Sequence, residues 1–538
     1  MGFFGLNIAR SGLFASQRAL EITGHNISNV NTPGYSRQRL EMNESFPMPL
    51  PGGQGMQGTG VDTAHIQQIR DEFLDFKIRQ EFMTAGEWDA RYESLTQIEA
   101  IFNEPSEDGI RKSMDEFFNS IQQLSQGEKA DNLTVRALVR ERGIHLTKTL
   151  NHMYTQLENM QKNIDFAVQT TVDQVNGYAE QIAKLNEQIF GYELDGSNAN
   201  DLRDQRNLLI DELSQLVDIQ IDEMPIQNAG TNAKKMRILV GGNMLVSHET
   251  ANKLITVPRE PGMEKNKGID QPKLLDVTWE NGGSFKCREG KLKGLIDMRD
   301  NIDGSEKGIP YYMDQLNQFS TTFAARFNMQ HGQGYGLAGA GNEHAFFNVP
   351  PLDYTSGTMG YKEITVDTTK TDADIKADYK KDPANEGKII FKANGKWYET
   401  EIIRAKDLSI SADIAKDPNN IAAAKIDNAV GDGSNALELL NLRQDGNMFA
   451  WGKPDDFFKS LISNLGVDGQ AAKTIVKSKD VLIKQLDNKR QSISGVSLDE
   501  EMGNMIKYQH AYNASARMIT TIDEMLDKII NGMGVVGR

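Results

Sequence analysis

Val135, Val139, Met153, Leu157, Met160, Ile164, Val168, Val172, Val175, Ile182, Leu185 and Ile189 form the apolar stripe of residues 132–190. They are separated by steps of three and four or by multiples of seven, the spacing of a sustained coiled-coil-like seam. No proline falls between Pro105 and Pro225. Proline would remove a backbone donor and clash with the preceding turn, so this stretch is free to run as one helix. At 1.5 Å per residue that helix is on the order of 90 Å long. It is too long for a compact globule and predicts an elongated, rod-like domain. A second helix is predicted over about 200–217, with Leu202, Leu208, Leu209, Leu213 and Leu216 on its apolar side.

Outward from this stretch the pattern changes. Residues 226–291 carry short alternating runs such as Met236-Arg237-Ile238-Leu239-Val240, and breaks at Gly241-Gly242 and Gly282-Gly283. These are strand and turn signals. Residues 355–445 contain Glu363-Ile364-Thr365-Val366 and Lys388-Ile389-Ile390-Phe391, then Asn394-Gly395. Asn-Gly between apolar runs predicts a tight hairpin. Helical patterning returns near 292–330, and from about 455 to the end no proline interrupts it.

The fold class expected is therefore α+β and multidomain, with terminal helical coiled-coil segments, an elongated long-helix bundle and β-rich insertions. The layout has an N-terminal helix and connector at 1–60. The helical domain is assembled from 61–225, 292–347 and 451–490. The β-rich insertions are 226–291 and 348–450, and a C-terminal helix occupies 491–538.

Both chain ends are striped. Leu6, Leu13, Leu20 and Ile27 recur every seven residues, as do Leu498, Met505, Tyr512, Ile519 and Leu526. A heptad seam is stable only when another helix covers it. The two ends fold against each other or against neighbouring subunits; an ordinary amphipathic helix in a globular core has the same stripe. Their polar faces are mixed or acidic, unlike the Lys/Arg-rich faces of membrane-surface helices.

The chain has 538 residues, a formal net charge of −16 and 38% hydrophobic residues. No dense Lys/Arg block is available to neutralise phosphates, which argues against nucleic acid. No apolar run approaches the ~20 residues that cross a bilayer. The single cysteine, Cys287, forms neither an internal disulfide nor a cysteine metal cage. Met1 to Arg10 lack a basic region followed by an apolar one, so no cleavable secretory signal is expected.

One segment carries a resemblance: Gly24-His25-Asn26-Ile27-Ser28-Asn29-Val30-Asn31-Thr32-Pro33-Gly34-Tyr35-Ser36-Arg37-Gln38. Its core of Asn26, Asn29, Asn31 and Thr32 resembles the N-terminal signature of flagellar rod, hook and hook-associated proteins. The continuation Pro33-Gly34-Tyr35-Ser36-Arg37-Gln38 is similar to that of the first hook-associated proteins. Asn and Ser compete locally with helix hydrogen bonds, and Thr32-Pro33-Gly34 then stops the helix. Ser494 to Glu501 and Ile506 to Arg517 resemble the same family's C-terminus. Ser497 there is placed to cap a helix, with Glu500 three residues on. Asp201-Leu202-Arg203-Asp204-Gln205-Arg206, Gly294 to Asp300 and Gln330 to Tyr335 are similar to internal segments of that family. The resemblance covers about 1–220, 292–347 and 450–538, and not the β-rich regions.

The resemblance implies a structural subunit of the bacterial flagellum at the hook–filament junction. It implies export by the flagellar type III apparatus, assembly at the distal hook end and an extracellular location. The implied partners are hook protein, the third hook-associated protein, further copies of the chain in a ring, and a cytoplasmic export chaperone on the C-terminal segment. In that family the terminal helices pair in the inner wall of the tube and are disordered in the free subunit. A hook or rod protein is the near alternative, as is an axial protein whose β-rich insertion adds surface binding.

Enzymatic chemistry is not expected, and no catalytic, cofactor or metal residues are assigned. Gly53 to Gly58 and Gly334 to Gly339 match Gly-x-Gly-x-x-Gly, but neither follows a strand and opens a helix, as a dinucleotide loop must. His145 and His152 are seven apart without a matching ligand pair, and His-Glu-x-x-His is absent.

Overall fold

The computed structural model describes residues 2–49, 55–103, 109–194, 196–225, 234–260, 262–266, 268–304, 306–337, 339–340, 344–349, 361–367, 369–382, 385 and 387–532. Its spine is the predicted long helix. We number the helices α1 (Gly2–Ser28), α2 (Glu72–Asn103), α3 (Ile110–Leu124) and α4 (Leu133–Glu193). They continue as α5 (Asn200–Leu216), α6 (Lys291–Asp300), α7 (Ile309–His331) and α8 (Asp372–Lys381). The last four are α9 (Ala412–Lys416), α10 (Ser434–Asn441), α11 (Pro454–Ser494) and α12 (Leu498–Asp527).

α4 spans 61 residues, and Asn132 caps it by accepting from Thr134 N at 2.9 Å and Val135 N at 3.4 Å. The stripe read from the sequence is its buried face; only Val135 and Leu185 are half-buried. α3, α5, α6 and α7 pack along α4, and α11 runs antiparallel to α2. At the end of the bundle where α4 begins, Phe117, Phe323, Phe327, Phe346 and Phe347 form one aromatic cluster. Next to it lies His331, wholly buried, whose Nε2 accepts from Ala422 N at 2.9 Å.

The first β region begins earlier than 226. Strand Ile219–Pro225 pairs with Lys234–Val240, which pairs with Asn243–Ser247 and then Thr250–Ala251, all antiparallel. The helix before it ends at Leu216, and the alternation of Ile219 and Ile221 continues directly into the sheet. Gly241 and Gly242, at φ 56° and 86°, make one of the predicted turns. The hairpin Leu254–Pro258/Leu275–Trp279 follows. Polar residues of α4 fasten both to the helix. Asn176 exchanges hydrogen bonds with Leu254 N and O at 2.9 and 2.8 Å, and Asn186 donates to His248 O at 2.9 Å.

The second β region is smaller than 348–450. Its sheet has the order Lys362–Ile364, Lys396–Glu401, Lys388–Ala393, with α8 packed against it. The predicted hairpin turn is Asn394-Gly395, at φ 51° and 79°. Residues 402–450 are not part of that sheet. Ala405, Leu408, Ile410, Ile421, Leu439 and Leu442 are buried in the main helical core instead. Their apolar residues are spaced by short turns and helices, so they fill the core without forming a ladder. Residues 350–360, included in that expected insertion, lie outside the described residues.

Candidate assembly interface

α1 and α12 form an antiparallel pair. A Cβ built at Gly5 would lie 3.3 Å from Ile522 Cδ1, and one at Gly12 3.1 Å from Ser515 Oγ. At the other end Asn26 meets Glu501. The line of closest approach on α1 is Gly5, Ala9, Gly12, Ser16, Ala19, Thr23 and Asn26, alternating steps of four and three. Ala9, Ser16, Ala19, Thr23 and Asn26 are buried. Small side chains let the two backbones approach, and they carry the same seven-residue repeat as the large ones.

The large residues singled out from the sequence sit beside that line. Leu6, Leu13, Leu20 and Ile27 are half-buried on its shoulder. On α12, Tyr512, Ile519 and Leu526 are half-buried, whereas Leu498 and Met505 are exposed at 46% and 36%. On α1 each large residue follows a residue of the small line by one position, which turns it about 100° around the helix and away from α12. Apolar bulk is not what marks this seam. Its own signal, Gly, Ala and Ser at alternating steps of four and three, was present.

The Asn-rich motif ends α1 and locks it to two other parts of the chain. Asn29 Nδ2 donates to His25 O at 3.0 Å, and its Oδ1 accepts from Thr32 Oγ1 at 3.2 Å. Exposed Asn31 and Thr32 lead into Pro33. Gly34 stands at φ +78°, and a Cβ there would lie 3.1 Å from Leu208 Cβ of α5. Both the left-handed backbone and the close approach favour glycine.

Asn26 is the centre of this junction. It is buried, and its amide is fully used. Its Oδ1 accepts from Gln38 N at 3.0 Å and Tyr35 OH at 2.8 Å; its Nδ2 donates to Gln38 O at 2.9 Å and Glu501 Oε2 at 3.2 Å. Arg37 donates from Nε to Glu501 Oε1 and from Nη1 to Glu500 Oε2, each at 2.7 Å, and its backbone N donates to Ser494 O at 2.8 Å. Glu500 thus turns to Arg37, while Ser497 caps α12 alone, accepting from Glu500 N.

On the other side Ser36 N and Oγ donate to Asp204 of α5 at 2.9 and 2.8 Å, and Arg70 donates to the same carboxylate at 3.2 Å. Burial raises the Asp204 carboxyl to about 6, against the lowering by Ser36 and Arg70. Burial, with the charges of Asp201, Asp204 and Glu501, pushes the Tyr35 phenol up. The three segments read separately in the sequence, 24–38, 201–206 and 494–501, therefore meet in one place. A cavity of about 410 Å³ beside them is lined by Pro33, Gly34, Leu208 and Arg490 among others. Arg70, Leu208 and Arg490 were not singled out as site residues; they lie on elements distant in sequence.

Among the described residues one trio of carboxylates, Glu87, Asp297 and Glu306, is close enough to hold a cation. Arg91 pairs with all three and Lys293 pairs with Asp297, so the chain's own cations neutralise it. The described glycines of 334–339 hold no phosphate cradle: a Cβ at Gly334 would meet Asn435 Nδ2 at 2.2 Å, and one at Gly336 Asn419 O at 2.6 Å. Gly53 and Gln54 of the earlier glycine segment lie outside the described residues.

An antiparallel pair of chain ends fastened to a long-helix rod is what the resemblance to flagellar axial proteins implies. Comparison with known proteins agrees at both ends. Residues 6–35 match a model of flagella basal body rod proteins, and 488–532 match the C-terminal model of the flagellar basal body rod FlgEFG proteins. Between them, 95–347 match the helical domain of flagellar hook-associated protein FlgK. Flagellar hook-associated protein 1 of Bacillus subtilis is 33% identical over all of this chain and 99% of its own length. The Escherichia coli protein of that name is 28% identical over 98% of this chain and 99% of its own length. The chain belongs to the flagellar hook-associated protein 1 family. In fold it is similar to the flagellar hook junction protein FlgK of Burkholderia pseudomallei, with a TM-score of 0.56 and 15% identity, covering 78% of this chain and 100% of that one.

Proposed function

We propose that the chain is a structural, non-catalytic subunit of the joint between flagellar hook and filament. It assembles outside the cell at the distal hook end, as a ring of copies, on hook protein and beneath the third hook-associated protein. Before export, a cytoplasmic chaperone covers the C-terminal segment that contains Leu498, Met505, Tyr512, Ile519 and Leu526. The observation that carries this reading is α12: its only buried residue is Glu501, although it runs for 30 residues. A helix packed along its length against one other helix leaves apolar surface for neighbours in an assembly. The junction at Asn26 joins that helix pair to the rod domain, so one subunit presents both an inner and an outer surface.

Removing residues 498–538 tests it. Hooks of normal length without filaments are expected by electron microscopy. Normal filaments in that strain would refute the junction assignment.

A further inference from the structure

His25 and Asp201 stand on the two sides of the junction, His25 in the last turn of α1 and Asp201 in the first turn of α5. A positive side chain is favoured at the end of a helix and a negative one at its start. The hydrogen bonds around them fix where the imidazole carries its hydrogen. Asn26 accepts from Gln38 N, so the accepting atom is the amide oxygen Oδ1. Tyr35 OH lies 2.8 Å from that same oxygen and must give it the phenol proton. With its one proton spent, the Tyr35 oxygen can only accept from His25 Nδ1, 3.0 Å away. Nδ1 therefore carries a hydrogen in the neutral ring as well as in the charged one. The other nitrogen, Nε2, faces Asp201 Oδ2 at 3.8 Å, beyond hydrogen-bond reach. Asp201 is held in place by Gln38 Nε2, which donates to its Oδ1 at 2.6 Å. In the neutral ring this is a lone pair set against a carboxylate. A proton on Nε2 turns the same approach into a charge-assisted hydrogen bond.

We propose that His25 is a proton-operated latch between the terminal helix pair and the rod domain: a proton taken from solvent onto Nε2 draws α1 onto Asp201 of α5, and its loss releases the contact. The surrounding charges favour that sign. Asp201 and Asp204 of α5 and Glu501 of α12 act on Tyr35, and Glu21 lies one turn before His25 on α1. The nearby cations are engaged elsewhere, Arg37 with Glu500 and Glu501, and Arg70 with Asp75 and Asp204. The contribution of the latch is present in acid and lost as pH rises. It lies within one chain and does not depend on the assembly role.

Amide hydrogen exchange of the purified full chain, read by mass spectrometry and corrected for the intrinsic pH dependence of exchange, tests it. Peptides from 24–38 are compared with peptides from α4, between about pH 5.5 and 8, where imidazole ordinarily changes charge. The two side chains are 42% and 58% exposed, so protection of 24–38 should fall by only about threefold, as for a surface pair. His25→Gln and Asp201→Asn should each remove that fall. His25→Arg, with a fixed charge, should keep at pH 8 the protection that the wild type shows in acid. Unchanged protection of α4 shows that each variant is folded. Asp204, raised to about 6 by burial, titrates in the same range but remains in every variant, so the difference from wild type isolates the latch. The wild-type pH response surviving in His25→Gln or in Asp201→Asn would overturn the proposal. So would His25→Arg losing protection at pH 8, or 24–38 exchanging without protection at every pH.

Discussion

α4 and α12 are both long, and both repeat apolar residues at helical spacing, yet they end in opposite states. α4 buries an unbroken stripe from Val139 to Ile189 against α3, α5, α6, α7 and the first sheet. α12 buries only Glu501, an acid. The period of a sequence identifies a face that another surface must cover; it does not say whether that surface is in the same chain. For α4 the cover is intramolecular, and the face contributes to the stability of the free chain. For α12 the cover is half supplied by α1, and the remainder is free to contribute to association.

The largest expected effect that tests this contrast is in α4. Leu157 is fully buried in the main core. Leu157→Ala should lower the unfolding free energy by about 3 kcal/mol, combining lost transfer energy with a cavity. Urea denaturation of the free chain measures it. A cost of less than about 1 kcal/mol would mean that the rod domain does not draw its stability from this stripe.

Acid should weaken the same domain. Burial holds His331 neutral, lowering its pKa from 6.5 to about 3, and its Nε2 accepts from Ala422 N only in that neutral form. Between those values the unfolded chain binds more protons than the folded one. The contribution is complete above about pH 6.5 and is lost as pH falls toward 3, with a slope of at most about 1.4 kcal/mol per pH unit. His331→Gln should flatten that part of the stability–pH curve measured by urea titration, and an unchanged slope would show that His331 is not its source.

The junction comes next in size. Arg37 reaches Glu501 at 2.7 Å, with side chains 21% and 3% exposed. A double-mutant cycle of Arg37→Ala and Glu501→Ala should give a coupling of about 1–2 kcal/mol, between that of surface pairs and buried ones. Either single change should also speed amide exchange in α1 and α12 without changing it in α4. Equal acceleration in α4 would mean that the helix pair and the rod unfold as one unit.

The helical skeleton was legible in the sequence because proline-free stretches and three-four spacing are local signals. Both ends of α4 fall within a few residues of the expected 132–190. The turns at Gly241-Gly242 and Asn394-Gly395 were legible for the same reason: each needs a positive φ that those residues tolerate. What spacing could not give was the destination of 402–450. Ile410 and Leu439 have no period that distinguishes an inserted domain from a loop folded back onto the main core. The motif 24–38 was visible as a family signature and a helix stop. Its physical role, Asn26 shared by Gln38, Tyr35 and Glu501, depends on a residue at the far end of the chain. The line of Gly5, Ala9, Gly12, Ser16 and Ala19 was available at the outset, but small residues read as weak helix surface until a second helix lies against them.

The smallest effect is the most discriminating one. Met518 is half exposed on α12 and touches no buried core. Met518→Ser should change the stability of the free chain by less than about 0.5 kcal/mol, as surface substitutions do. The same change should weaken attachment of filaments to hooks, because the side chain is withdrawn from water only when a neighbour arrives. Denaturation of the purified chain and counting of detached filaments under shear separate the two quantities. If instead stability falls by as much as for Leu157→Ala, then α12 is already covered within a single chain. The difference between the two helices would then be one of degree, and the flanks of α12 would hold no reserve for assembly.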